Sequence, residues 1–308
     1  MDPAVVKQLA LGGIPPVIAT ALLCILLARS PATRRSSLLS LVGVLVITLT
    51  TLALVIMPIT FKFASADNRL PWAIGIVFAG MLVAATLGRG IRILAPITLV
   101  AATGFALFSI LKNSTPLAIG AHLGAAALAG VIISWAAAKA ASPGPTAPAG
   151  SAANRPTAPP ANGPALARIL VPLIGASQML VLGMSSLKYA QIAGLFAAAA
   201  GGACLAWLIR RSVRIPAELA VALFLAAALV VSMGVVLGSS PLPKASLLGA
   251  LVLTSMAMAA VATIGPLGRQ RGFKAWAVSI ALPALPIAAG LAIAILNEDA
   301  ADTTDFDY

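Results

Sequence analysis

The sequence predicts an all-α protein, a polytopic integral membrane bundle of about ten transmembrane helices. Three observations carry that prediction. Ten apolar stretches, each about long enough to cross a bilayer, fill nearly all of the 308 residues. The chain is 60% hydrophobic and only 9% charged, with a mean hydropathy of +1.05, whereas a soluble domain carries about 25% charged residues. The few charges collect in short loops between the apolar stretches. A spanning helix needs about 20 apolar residues, because every backbone polar group must be paired internally where there is no water.

The expected spans are 9–28, 37–60, 71–88, 93–111, 117–138, 167–187, 190–209, 217–237, 245–265 and 275–296. The first is preceded by one positive charge, Lys7, and followed directly by Arg29, Arg34 and Arg35, which predicts a retained helix rather than a cleaved signal. The third and fourth are separated by Gly88-Arg89-Gly90-Ile91-Arg92, since two Arg and two Gly do not sit at a bilayer centre. Between the fifth and sixth, residues 141–164 hold seven prolines among Ala, Gly, Ser and Thr. That composition has no apolar face to bury and reads as an extended tether. The predicted organisation is a five-helix half over 1–140, the linker over 141–164, a second five-helix half over 165–296, and an acidic tail over 297–308.

An odd number of helices per half sets the halves in opposite orientations, as in an inverted repeat. Faint internal echoes accompany that arithmetic. Pro16-Val17-Ile18-Ala19 parallels Pro172-Leu173-Ile174-Gly175, Pro71 and Pro216 open the third and eighth spans, and Ala129-Gly130-Val131 parallels Ala289-Gly290-Leu291. With the amino terminus outside, cytoplasmic loops hold 14 Lys and Arg and external loops hold 6. The positive-inside rule then places both termini on the external, periplasmic side of a plasma membrane of the bacterial inner type. The net charge of +12 is spread singly and in small groups over helix ends, so topology accounts for it and a nucleic-acid partner is not expected. The expected partners are the lipid bilayer, a small-molecule solute, or other membrane proteins.

Chemistry-bearing residues are sparse. His122 is the only histidine and lies inside the fifth span. An intramembrane ionisable residue points to a proton relay or a substrate contact, although a hydrogen bond to a neighbouring helix, approached over Gly120 and Gly124, is the commoner role. All eight acids fall outside mid-membrane depth, which argues against carboxylate-driven ion coupling. Paired aspartates for a metal pyrophosphate, nucleophile–base pairs and phosphate loops are likewise missing. Cys24 and Cys204 show no metal or redox spacing and read as small core residues. No catalytic residue, metal or cofactor is expected.

Among uncharged groups, Thr51 in the second span and Gln178 and Ser185 in the sixth are candidates to line a solute path. Gln178 and Ser185 are seven apart and share a helix face, expected to point into the bundle. Pro16 and Pro172 each remove a backbone hydrogen bond near the start of a half, which nominates the first and sixth helices as mobile or site-lining elements. The functional expectation is a permease for a small or amphipathic solute, working by motion of one half against the other. The alternative is a non-transporting structural or assembly subunit. An intramembrane enzyme built on His122 ranks third, because catalysis normally needs a second convergent group.

The layout resembles the drug/metabolite transporter superfamily, with about ten helices in some 300 residues arranged as five-helix halves. The resemblance is one of architecture and carries over no residue. It implies a transporter fold, and the chain departs from it in orientation, since that family keeps both ends cytoplasmic.

Overall fold

The computed structural model describes residues 3–27, 34–57, 59, 61, 63–87, 90–141, 163–184, 186–210, 213, 216–238, 242–264, 267 and 272–302. Its principal helices are α1 (Pro3–Leu27), α2 (Arg34–Thr51), α3 (Ala66–Leu87), α4 (Ile91–Ala106), α5 (Pro116–Ala141), α6 (Gly163–Leu182), α7 (Leu187–Ile209), α8 (Ala217–Leu237), α9 (Leu242–Val261) and α10 (Phe273–Asp302). No strand occurs among the described residues. A π-helical turn, Leu52–Ile56, continues α2, and a short helix, Phe108–Leu111, follows α4. The linker lies largely outside the described residues. The first part of the expected acidic tail, through Asp302, continues α10 as helix.

All ten expected stretches fall on helices, but they are not equal. Seven helices are long and apolar enough to cross a bilayer, those of α2 with its π turn, α3, α5, α7, α8, α9 and α10. This is the architecture of a multi-pass membrane protein. α4 is shorter, over Ile91–Ala106, and the apolar stretches described with their side chains in α1 and α6 cover Gly13–Leu27 and Leu166–Leu182. α4 is cut short because the chain leaves helical geometry at Leu107, so its 16 residues rise only about 24 Å against a hydrocarbon core of about 30 Å. Gly90, at φ +145°, supplies the turn into α4 that a residue with a side chain rarely adopts, and its carbonyl accepts from Leu94 N at 2.7 Å.

α8 is the hub. Every residue from Leu219 to Gly234 except Ser232 is buried, as expected of a helix that is apolar all round. Seven helices surround it in the order α2, α3, α4, α5, α9, α6, α7, each touching α8 and the next in the ring. α1 leans on α7 and α2, and α10 on α6 and α9. The halves therefore interlock, since a helix of the second half is enclosed partly by four of the first. α3, the counterpart of α8 in the suggested repeat, stands in the ring instead, so the halves take unequal places around the core.

Short connections make successive helices antiparallel within each half, and Asp67 at the start of α3 meets Lys188 and Tyr189 at the start of α7, which relates the two halves. One face of the bundle, where α1, α3, α5, α7 and α9 begin, is called the amino face here.

Packing follows membrane rules, in which close backbone approach and interhelical hydrogen bonds replace hydrophobic transfer. Gly202 of α7 lies against the α1 backbone at Val17 and Ala21, and Gly130 of α5 against the α4 backbone at Pro96. Ser177 Oγ donates to Ala190 O at 2.9 Å, joining α6 to α7, and Ser255 Oγ donates to Pro283 O at 2.6 Å, joining α9 to α10. Gly120 and Gly124 do not serve this purpose. Both are exposed, with no neighbouring atom where a Cβ would stand.

Candidate functional site

A lateral cavity of about 370 Å³ lies near the amino face, within the usual range for small-molecule sites. It lies between α4 and α5 of the first half and α8 and α9 of the second. It forms because small residues face one another there: Ala121, Ala125 and Ala129 recur every fourth position on α5, opposite Gly249 and Ala250 of α9. Ala121 and Ala125 are exposed, so the cavity opens on the side of the bundle.

Four polar side chains line it, Thr103, His122, Ser232 and Ser246. His122 is exposed, and its Nδ1 pairs with Ala118 O of its own helix at 2.8 Å. A carbonyl partner requires Nδ1 to carry hydrogen, which leaves Nε2 as an acceptor on the neutral ring. Ser232 Oγ donates to Ala228 O at 2.9 Å. Thr103 is buried, and its hydroxyl has no hydrogen-bond partner.

The other sequence candidates do not converge on this place. Thr51 is buried and donates to Ile47 O at 2.9 Å, just before the π turn. Pro16 is buried in α1, and Pro172 is buried in α6; each lies inside an unbroken helix. Gln178 is exposed on α6, contrary to the expectation that it faces the bundle. It sits four residues from the helix end, where its amide reaches the wet interface at little cost. Ser185 lies outside the described residues. Of the five that are described, only His122 lines the cavity. Thr103, Ser232 and Ser246 were not singled out in the sequence, and neither α1 nor α6 contributes to the lining.

Two polar features lie elsewhere. At the amino face Asp67 of α3 takes Lys188 Nζ at 2.7 Å and the Tyr189 hydroxyl at 2.8 Å, tying α3 to α7 across the halves. Beside it, Arg69 donates to Phe63 O and stands 5.2 Å from the Phe108 ring, among Phe61, Trp72 and Phe105. Aromatic residues gathered at a helix end suit a membrane interface. At the opposite face Arg168 of α6 is only 5% exposed. Its Nε donates to Ser279 Oγ of α10 at 3.1 Å, and its Nη1 has no partner. Among the described residues, no group of three metal-ligating side chains forms.

No protein-family model matches the chain, and no curated protein matches its sequence. Neither comparison supports the resemblance to the drug/metabolite transporter layout.

Proposed function

We propose that this multi-pass membrane protein is a permease for a small amphipathic solute, admitted through the lateral cavity and moved by displacement of the two halves at their junction. The observation that carries the reading is the position of the cavity. It sits where α4 and α5 of one half meet α8 and α9 of the other, so relative motion of the halves would open and close it. Its lining suits a mainly apolar molecule with a small polar end. Ten crossings with both termini external, in a plasma membrane of the bacterial inner type, are part of the same proposal and rest on the loop charges.

A second reading, a non-transporting assembly subunit, is favoured by the dry hub, since α8 offers no polar lining through the centre.

The deciding experiment reconstitutes the purified protein in liposomes and follows the exchange of fluorescent single-chain amphiphiles between leaflets by quenching from outside. Exchange above that of protein-free liposomes, abolished by the cavity-filling Ala125→Trp, is expected. Exchange equal to the protein-free control, or unaffected by Ala125→Trp, would overturn the permease reading in favour of the assembly subunit.

A further inference from the structure

The cavity has a polar band and an apolar interior, and they lie at different depths. His122 is six residues from the start of α5, Ser246 four from the start of α9, and Ser232 five from the end of α8. At 1.5 Å per residue these positions lie about 6–9 Å below the amino-face helix ends. Ala129 and Leu253 lie about 16–20 Å down by the same measure. The deeper lining is Ala, Val, Leu and Gly alone.

Thr103 adds an unusual hydroxyl. Ser and Thr inside helices commonly bond back to the carbonyl three or four residues earlier, as Thr51, Ser134, Ser232 and Thr254 do here. Thr103 and Thr20 are buried and make no such bond, and of the two Thr103, 2% exposed with its oxygen enclosed, adjoins the cavity. A buried hydroxyl left without a partner is costly, and a ligand atom that supplies one recovers that cost. His122 Nε2 offers a complementary acceptor. Among the described residues no Lys, Arg, Asp or Glu lines the cavity, so a charged head group would find no counter-charge there.

From this arrangement we infer that the cavity selects a single-chain amphiphile with an uncharged hydroxyl head, which donates to His122 Nε2 and accepts from Thr103 when that enclosed hydroxyl turns toward the cavity, while its chain occupies the apolar depth. The inference rests on the reading that an amphiphile enters the cavity, and it adds the class of head group.

The test uses the full-length protein in nanodiscs and three photoreactive probes that share one alkyl chain: the long-chain alcohol, the alkylphosphocholine and the alkyltrimethylammonium. Crosslinked peptides from α4, α5, α8 and α9 are quantified by mass spectrometry. The alcohol is expected to label the cavity at least about tenfold more than either charged probe. Thr103→Val, nearly the same shape, should lower alcohol labelling by about fivefold, the weight of one hydrogen bond. His122→Leu, at an exposed and therefore tolerant position, should act similarly. Equal labelling by all three probes, suppressed by Ala125→Trp, would overturn the head-group inference while leaving the permease reading standing. No probe in the cavity, or labelling indifferent to Ala125→Trp, would remove both.

Discussion

Gly202 marks the tightest seam between the two halves, and its replacement by alanine makes a quantitative test of the packing. A Cβ on Gly202 would collide with the Val17 carbonyl and stand 2.9 Å from Thr20 Cβ and 3.1 Å from Ala21 N of α1. Ordinary contact lies at about 3.5–4.0 Å, so α1 must retreat by about 0.5–1 Å, which forfeits a quarter to a half of each contact's attraction. Backbone atoms on α1 cannot step aside as a flexible side chain would. Overpacking of this kind costs about 1–3 kcal/mol. The seam also carries its own reporter, because Cys24 is buried against Ala203 and Ala206. If α1 must lift for Cys24 to react, that cost raises its alkylation rate by N-ethylmaleimide about five- to 150-fold. The matched control is Gly201→Ala, since no atom lies within 4 Å of a Cβ there. Both variants gain the same helix propensity, so their ratio isolates the collision. A Cys24 rate in Gly202→Ala within about twofold of Gly201→Ala would refute the α1–α7 contact.

Three further outcomes follow from the polar groups. Ser255→Ala removes a fully buried donor to Pro283 O and should lower stability by about 1 kcal/mol, measured as the denaturant midpoint in mixed micelles; no change would mean that α9 and α10 are not joined there. Arg168→Met replaces a buried guanidinium that has one unpartnered nitrogen and should leave stability unchanged or raise it by about 1–3 kcal/mol, whereas a loss above about 3 kcal/mol would reveal a counter-anion at that face. With both native cysteines removed, His122→Cys and Gln178→Cys should react with an impermeant maleimide while Thr51→Cys does not, following their exposure; labelling of Thr51→Cys would disprove the dry packing around the end of α2.

Helix positions were legible because a bilayer imposes one simple demand, a long apolar run; the expected 217–237 coincides with α8, while seven of the described helices are long and apolar enough to cross. The facing of individual residues was not legible. Gln178 was assigned inward because an amide is costly in lipid, but the argument ignored depth, and near a helix end the amide meets water. The hub could have been read. α8 has the highest hydropathy of the spans, and beyond Glu218 in its first turn only Ser232 is polar within it; a helix apolar on all sides belongs in the middle. The cavity was harder, because its signal is a stripe of alanines on α5 facing small residues on α9. In an alanine-rich chain that stripe stands out only once the two helices are known to be neighbours. Proline positions drew attention to α1 and α6, yet both run through their prolines as packed helices, and room is found where side chains are small.

The hub also constrains how any solute could move. Separating apolar helices in lipid forfeits shape-matched packing rather than hydrophobic transfer, so the bundle yields first where it is already thin. The halves meet around α8 at α5–α9 and at α7–α2; the first junction already holds the cavity, whereas the second is covered by α1, whose seam with α7 is closed by Gly202 against backbone. An amphiphile seated with its head at the polar band and its chain in the apolar depth of the cavity begins its crossing at the α5–α9 seam. A flexible bis-maleimide joining Ala125→Cys to Ala250→Cys across the cavity, on a background without native cysteines, is therefore expected to stop leaflet exchange. A crosslink between the native Cys24 and Cys204 of α1 and α7 should leave it largely intact. The opposite pattern, exchange stopped at α1–α7 and preserved at α5–α9, would show that the moving boundary lies on the other side of the hub.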